Sequence, residues 1–174
     1  MAVEPEKKFI HAFQGSSPKV TFLHGTAEAV ESNHWNALIS INVLEHIQED
    51  GRELQCYAAL LAAERGHLCL FVPARAEIYA PIDRDFGHFR RYQKAELRAK
   101  LQGAGFDIVR LDYFNFVGYF AWALNFRLLR KRSFNAKAVR WFDSAIFPAG
   151  QAFERLMRPP IGQSLIAVAR PSAA

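Results

Sequence analysis

The sequence predicts one α/β domain built on a largely parallel β-sheet. Short apolar runs alternate with stretches of helical spacing, and this alternation is typical of layered α/β folds. The chain has 174 residues, 51% of them hydrophobic, which suits one domain with a real core. Ligands of such folds bind at the carboxyl ends of strands. The loops after Leu23, Asn42 and Val72 are therefore the first candidates for a site.

Five apolar runs predict the strands. Residues 19–24 stop at Gly25, residues 35–42 are almost continuously apolar, and residues 68–72 end at Pro73. Such runs are typical of parallel strands covered on both faces. Residues 106–113 predict a fourth strand and residues 163–170 predict the last one.

Helices are predicted between these strands. Asp50-Gly51-Arg52-Glu53 resembles an N-terminal capping box, and apolar residues follow at helical spacing until Gly66. A second helix stops at Gly103-Ala104-Gly105. Residues 114–160 are predicted to be a helical insertion, aromatic and basic, within the single domain of residues 1–174.

Composition limits the classes of function. The net charge of +5 favours acidic partners, but the basic residues are clustered and no nucleic-acid recognition motif is present, so we expect no nucleic-acid partner. Cys56 and Cys69 are expected to be reduced thiols, and no metal site is expected. The charged N-terminus does not resemble a secretory signal, which favours a cytoplasmic location.

The order of several motifs points to a known family. Residues 40–47 read Ser-Ile-Asn-Val-Leu-Glu-His-Ile and are followed by the helix beginning near Asp50, by Gly66-His67-Leu68 and by Gly103-Ala104-Gly105-Phe106. This order resembles class I S-adenosylmethionine-dependent methyltransferases of the type 11/12 kind. Residues 87–92, Gly-His-Phe-Arg-Arg-Tyr, resemble the G-H-Y-R-R-Y segment of a bacterial subgroup, whose pattern continues at Asn115, Gly118 and Trp122.

The resemblance implies a Rossmann-like sheet, mostly parallel, with an antiparallel C-terminal strand between the last two strands and helices on both faces. The family begins with a strand, a G-x-G-x-G turn that holds the cofactor, and a second strand ending in an acidic residue. We find none of these, and residues 5–14 fit the helix that follows the second strand. We therefore expect an incomplete sheet, truncated at its start, with residues 19–24 poorly paired and cofactor affinity severely reduced.

The resemblance also implies a cofactor site for S-adenosylmethionine. The turn after the first predicted strand lies beside the adenine in relatives, and the turn after the second lies beside the methionine portion; the matching residues are Gly25, Thr26, Ala27, Asn42, Val43 and Leu44. Most relatives carry Asp at Thr26, and a hydroxyl is a weaker acceptor than a carboxylate. A plain Gly-Thr turn is the alternative interpretation.

Two further groups are candidates for chemistry. His46 follows a strand end, where a neutral imidazole could accept a proton from the methyl acceptor; alternatively, it caps or orients the loop. His88, Arg90, Arg91 and Tyr92 could cradle a substrate phosphate or carboxylate, or could form a solvated charge run.

Residues 113–132 combine aromatic and basic side chains and fit either an anionic membrane surface or ordinary core packing. Two functions therefore remain open. The chain transfers a methyl group to a small or lipid-linked metabolite, or it is a non-catalytic module that binds a partner protein, a membrane or a second copy that completes the sheet.

Overall fold

The computed structural model describes residues 1–13, 19–31 and 34–173, which form the predicted α/β fold. In these residues the strands are β1 (Ala2–Glu4), β2 (Phe22–His24), β3 (Ala37–Ile41), β4 (His67–Pro73), β5 (Phe106–Phe114) and β6 (Ser164–Pro171). The α-helices in the same residues are α1 (Lys7–Phe13), α2 (Asp50–Ala62), α3 (Pro81–Asp85), α4 (Lys94–Gly103), α5 (Phe116–Trp122), α6 (Ala136–Trp141) and α7 (Phe147–Met157). Within the described ranges, no helix is both long and apolar enough to cross a membrane.

The main sheet has the order β3-β4-β6-β5. β3 and β4 are parallel, whereas β6 runs antiparallel to both β4 and β5 and lies between them. This confirms the predicted α/β fold with an antiparallel C-terminal strand. The predicted ranges of β3, β4, β5 and β6 differ from the observed ones by at most two residues at either end.

The principal core lies between this sheet and helices α2 and α4. Alternate residues of β4, namely Leu68, Leu70 and Val72, face the helices and are almost completely buried, as are Leu54, Leu61, Leu97 and Leu101 on the helices. The other face of the sheet is covered near β5, where Phe114 makes edge contacts with both Phe71 and Phe147 at the start of α7. Helices thus contact both faces, but on the second face Ile39 and Ile41 of β3 remain mostly exposed.

The N-terminal residues form a strand that the sequence analysis missed. β1 pairs in parallel with β2, with Ala2 opposite Phe22 and Glu4 opposite His24. β1 ends in the acidic residue Glu4 and is followed by α1. Of residues 19–24, which were expected to be poorly paired, only Phe22–His24 form a strand, and it pairs with β1 in a two-stranded sheet separate from the main sheet. The last residue of the predicted helix, Gln14, lies outside the described residues.

The predicted capping box at α2 is also wrong. Glu49, not Asp50, occupies the N-cap position, and its side chain makes no capping hydrogen bond. Asp50 is the first residue of the helix and is 3% exposed. Its carboxylate is instead bound by three polar side chains from elsewhere in the fold, those of Tyr92, Lys100 and Arg90.

Asn115, Gly118 and Trp122, which continue the pattern of the bacterial subgroup, have structural roles in the helical segment. The Asn115 side chain accepts a hydrogen bond from the Gly118 amide and caps α5. The backbone amides of Asn115 and Phe116 donate to the Glu154 carboxylate at 3.0 and 2.6 Å. A Cβ at Gly118 would lie within 2.4 Å of Asn115 and Gln163 atoms, so only glycine fits there. Trp122 packs in a small second core with Ile82 and Phe126.

Candidate functional site

The carboxyl ends of β1 and β2 form one edge of the candidate site. Glu4 ends β1, and its backbone oxygen accepts a hydrogen bond from the Gly25 amide at 3.1 Å. Gly25 has φ +152°, a conformation that favours glycine, and it directs the chain into a 3₁₀ turn at Ala27–Ala29. Ala27 packs against the main core, whereas the Thr26 side chain is exposed and makes no capping bond.

The end of β3 forms a second edge. Asn42 adopts a left-handed conformation at φ 50°, and its amide donates to the Phe71 oxygen at 2.9 Å. The chain then turns through a 3₁₀ helix at Leu44–His46. Asn42 and Val43 are exposed, whereas Leu44 is completely buried in the core. The turn consequently directs Glu45 inward and His46 outward.

Glu45 is the most unusual side chain in this turn. It is 0% exposed, and neither carboxylate oxygen has a hydrogen-bond partner. Burial raises the pKa of Glu45 to about 7, against smaller opposing effects from its own backbone, His88 and Arg91. Buried carboxyl groups with strongly shifted pKa values are typical of functional sites.

His88 meets Glu45 from the loop after α3. Its Nε2 lies 3.9 Å from Glu45 Oε1, while its Nδ1 lies 3.2 Å from Asp83 Oδ1. Two further hydrogen bonds to backbone oxygens fix the loop. The Tyr79 hydroxyl donates to the backbone oxygen of His88 at 2.7 Å, and the Phe89 amide donates to the backbone oxygen of Glu45 at 2.8 Å. The ring is therefore held between two carboxylates.

His46 completes the group on its solvent side. Its ring makes an edge contact with the His88 ring, with the centroids 4.7 Å apart. Burial, reinforced by His88, lowers the pKa of His46, which favours the neutral imidazole that a general base requires. Gly87, in a left-handed turn at φ 80°, passes directly beside this ring.

The other predicted substrate-binding residues have internal partners. Arg91 is buried and donates to Asp83 Oδ1 from Nε and Nη2, at 2.9 and 2.8 Å, while Trp122 lies over its guanidinium. The Arg91 contacts and a hydrogen bond from His88 outweigh the effect of burial and lower the pKa of Asp83. Arg91 thus holds the carboxylate that orients His88.

Arg90 and Tyr92 are both bound to Asp50. The Tyr92 hydroxyl donates to Asp50 Oδ2 at 2.9 Å, and Arg90 Nη1 lies 2.7 Å from the same oxygen. Tyr92 is completely buried. For Arg90, Arg91 and Tyr92, a direct role in substrate binding stays a prediction. Tyr92 also donates to the Leu44 backbone oxygen at 3.2 Å, and His88 lies 3.9 Å from the Glu45 carboxylate.

A basic cavity lies on the other side of α3. It has a volume of about 460 Å³, and its cationic lining consists of Arg84, Arg127, Arg130 and Arg132. Arg132 forms an ion pair with Asp85, and Arg127 donates to the Glu77 backbone oxygen at 3.3 Å. The neighbouring residue on α3, Asp83, faces His88, so one short helix connects the cavity to the histidine cluster. The sequence analysis did not identify this cavity, because its arginines come from separate segments.

Comparison with solved structures identifies the architecture. A chain from the complex between the Haloferax volcanii Trm112 methyltransferase activator and a methyltransferase is similar over 99% of this chain and 71% of its own length, with 13% identity and a TM-score of 0.62. An S-adenosylmethionine-dependent methyltransferase from Mesorhizobium loti is similar over 97% and 78%, with 14% identity and a TM-score of 0.59. The chain has the class I methyltransferase fold.

Another structure with this fold contains a bound product of the cofactor. Magnesium protoporphyrin IX methyltransferase from Synechocystis, solved with S-adenosylhomocysteine, is similar over 98% of this chain and 63% of its own length, with 15% identity and a TM-score of 0.55. No protein-family model and no curated protein matches the chain. The similarity to these methyltransferases therefore lies in the three-dimensional structure, because the sequence identity is only 13–15%.

The residues that the sequence analysis missed are Glu4, Glu45 and Asp83. Glu45 and His46 were both visible in one motif, but the burial of Glu45 depends on the loop that carries His88, far along the chain. Asp83 has no motif of its own. The only available signal was its position five residues before His88 in a segment that already resembled the subgroup.

Proposed function

We propose that the chain binds S-adenosylmethionine and transfers its methyl group to a small or lipid-linked metabolite that carries an anionic group. The observation that carries the proposal is Glu4. It ends β1 beside the Gly25–Thr26 turn, which is the position where class I methyltransferases have the acidic residue that accepts hydrogen bonds from the ribose hydroxyls. The fold shared with S-adenosylmethionine-dependent enzymes supports the same cofactor.

Three loops would contact the cofactor. Glu4 would accept the ribose hydroxyls, the Gly25–Ala27 turn would lie beside the adenine, and the exposed Asn42 and Val43 would lie beside the methionine portion. An exposed ion pair at 2.9 Å between Glu28, in the 3₁₀ turn after β2, and Arg52 links that turn to helix α2. Bound S-adenosylmethionine would supply an electrophilic methyl group, and the protein would align it with the acceptor.

His46 would serve as the general base. Its lowered pKa keeps the imidazole neutral near pH 7, so that it can accept the proton of an acceptor hydroxyl or amine. The exposed face of His46 lies in the same turn as the cofactor-facing residues Asn42 and Val43. A base is useful at that position because the acceptor loses a proton as it gains the methyl group.

The basic cavity would hold the anionic part of the acceptor. Arginine side chains bind phosphate and carboxylate groups in a bidentate manner, and a volume of about 460 Å³ accommodates a small metabolite. Phe120, Leu124 and Leu128 are exposed at intervals of four residues near this cavity, in the segment that also carries Arg127. An apolar row beside arginines is suited to a lipid chain at a membrane surface.

Calorimetric titration of the full chain with S-adenosylmethionine tests the cofactor site. Glu4→Gln is expected to weaken binding at least fivefold, and Thr26→Asp is expected to strengthen it by restoring a carboxylate acceptor beside the adenine. Glu6→Gln, an exposed change two residues from Glu4, is the matched control and should leave the affinity unchanged. A folded chain that releases no binding heat at millimolar cofactor would contradict the proposal.

The acceptor site is tested with radiolabelled S-adenosylmethionine and a panel of phosphorylated and carboxylated metabolites, with and without anionic vesicles. The double substitution Arg84→Ala and Arg130→Ala should raise the KM for an active acceptor about tenfold or more. Arg98→Ala, on the exposed side of α4, is the control. Equal KM values for the cavity and control variants would exclude the cavity as the acceptor site.

A non-catalytic binding module is the second candidate. The observation that favours it is β3, which within the described residues pairs with β4 alone and leaves its other edge open, with Ile39 and Ile41 exposed. A partner strand or a second copy could bind there. Light scattering over a range of concentrations would detect self-association, and Ile39→Lys should abolish it, whereas a chain that is monomeric at every concentration would exclude the second copy.

A further inference from the structure

We propose that Glu45, His46 and His88 form a binding site for a divalent transition-metal ion such as Zn²⁺. One ligand atom from each of the three residues lies within 4.8 Å of the other two. No metal site was predicted from the sequence, because the two cysteines have no second pair and no histidine at metal-ligand spacing. The fold brings the three residues together by packing the loop after α3 against the turn after β3.

Glu45 is the first argument for an ion. Its side chain is completely buried, it is directed into the cluster, and both of its oxygens lack a hydrogen-bond partner. Buried carboxylates in proteins are normally paired, hydrogen-bonded or bound to a metal. Asp50, the first residue of α2, shows how well this fold satisfies a buried carboxylate when the role is structural. An ion between Glu45 and the histidines would supply the missing partner.

The orientation of His88 is the second argument. Histidines that bind metals typically use one nitrogen for the ion and the other for a carboxylate or carbonyl that fixes the ring. His88 has this arrangement, since Nδ1 lies 3.2 Å from Asp83 and Nε2 lies 3.9 Å from Glu45. Arg91 in turn fixes Asp83 through two contacts below 3 Å. The outer partners of a metal ligand are therefore already in place.

The donor set selects the class of ion. Two imidazoles and one carboxylate suit zinc and its first-row neighbours, whereas magnesium and calcium prefer oxygen ligands throughout. Ligand atoms around tetrahedral zinc lie roughly 3.5 Å apart, so a small rotation of the exposed His46 ring would close the site. Three protein ligands leave a coordination position open on the solvent side, where water or an oxygen atom of a small molecule could bind. A His46 nitrogen that binds the ion cannot accept a proton, so His46 would act as the proposed base only in chains without a bound ion.

Metal binding can be measured without any enzymatic assay, so its outcome is independent of the proposed methyl transfer. The full chain is freed of metal with a chelator, desalted and titrated with zinc chloride in a calorimeter. One site per chain is expected. Glu45→Gln, His46→Ala and His88→Ala should each weaken binding at least tenfold, and cobalt should give a visible absorption band that the Glu45→Gln variant loses.

His34→Ala is the matched control, because His34 is an exposed histidine that also pairs with a carboxylate, Glu64. Its zinc affinity should equal that of the wild type. If His88→Ala does not fold, as judged by circular dichroism, the isosteric Glu45→Gln and the exposed His46→Ala decide the question. The proposal is overturned if these two variants bind zinc as tightly as the wild type, or if the wild type binds no zinc at millimolar concentration.

Discussion

Glu45, in the connection between β3 and α2, and Asp50, the first residue of α2, are both buried carboxylates, but their surroundings are opposite in kind. Asp50 is bound by Tyr92, Lys100 and Arg90 at 2.9, 2.8 and 2.7 Å, whereas Glu45 has no hydrogen-bond partner for its side chain. Burial alone would raise the pKa of Asp50, but hydrogen bonds from Lys100, Tyr92 and Arg90 lower it. At Glu45, burial prevails and the pKa rises to about 7.

This difference distinguishes a carboxylate that stabilises the fold from one that costs stability. A satisfied buried charge joins the elements around it, and Asp50 links α2 with α4 and with the loop that carries Tyr92. An unsatisfied charge is retained where some other requirement outweighs stability, and such residues cluster at functional sites. The strongest prediction is therefore that changes at the two positions have opposite signs.

Asp50→Ala is expected to have the largest effect. It leaves Tyr92 without its closest hydrogen-bond acceptor and leaves two cations beside an apolar site, so the free energy of unfolding should fall by about 3 kcal/mol. Urea denaturation followed by circular dichroism measures the change. Glu49→Ala is the control at the adjacent exposed position. Equal losses of unfolding free energy for the two variants would show that the buried Asp50 carboxylate does not stabilise the fold.

Acid should weaken the Asp50 cluster in a defined range. Because the pKa of Asp50 in the folded state lies below its ordinary value of 3.8, the stabilisation is complete above that pH and is lost as the pH falls through the lowered pKa. Asp50→Asn should be about 2 kcal/mol less stable than the wild type at pH 7. This gap should narrow below pH 3.8, and a gap that stays constant down to pH 2 would disagree with the prediction.

Glu45→Gln should change stability in the other direction. Replacing a buried charge that lacks hydrogen bonds with a neutral side chain of the same shape should raise the free energy of unfolding by about 1–2 kcal/mol at pH 8. The measurement requires a chelator, so that no ion compensates the charge. A loss of stability would indicate that the Glu45 carboxylate has a stabilising partner in solution, and it would contradict the proposed difference between Glu45 and Asp50.

The smallest effect is expected at His46. The residue is exposed, and its principal contact is the edge of the His88 ring, so His46→Ala should change the free energy of unfolding by less than about 0.5 kcal/mol. The same denaturation experiment checks this. A loss near that of Asp50→Ala would assign His46 to the fold rather than to a site.

The main sheet could be predicted because strands β3, β4, β5 and β6 are coded by local apolar runs. β1 was missed because three residues followed by a proline give no periodic signal, and its pairing with β2 is a tertiary contact between segments about 20 residues apart. The error at Asp50 has a similar cause. Asp at the start of a helical pattern usually caps the helix, but here the contacts from α4 and from residues 90–92 outweigh the local preference.

The candidate site was only partly predictable for the same reason. His46 and His88 lie in motifs that mark them as notable, and the structure brings them into contact. The burial of Glu45 and the ion pair between Arg91 and Asp83 depend on tertiary contacts, so local sequence patterns could not predict them. The arginine cavity is likewise assembled from α3 and the segment after α5.

The position of β6 has a consequence for how the molecule is made. β6 ends at Pro171 but lies between β4 and β5, so these two strands cannot join through it until nearly all of the described chain has been synthesised. During translation, β4 and β5 would each expose an unpaired edge for the time that the ribosome needs to add α5 to α7 and β6. The sheet is therefore expected to close late, and chaperones that bind nascent strands would act during that interval.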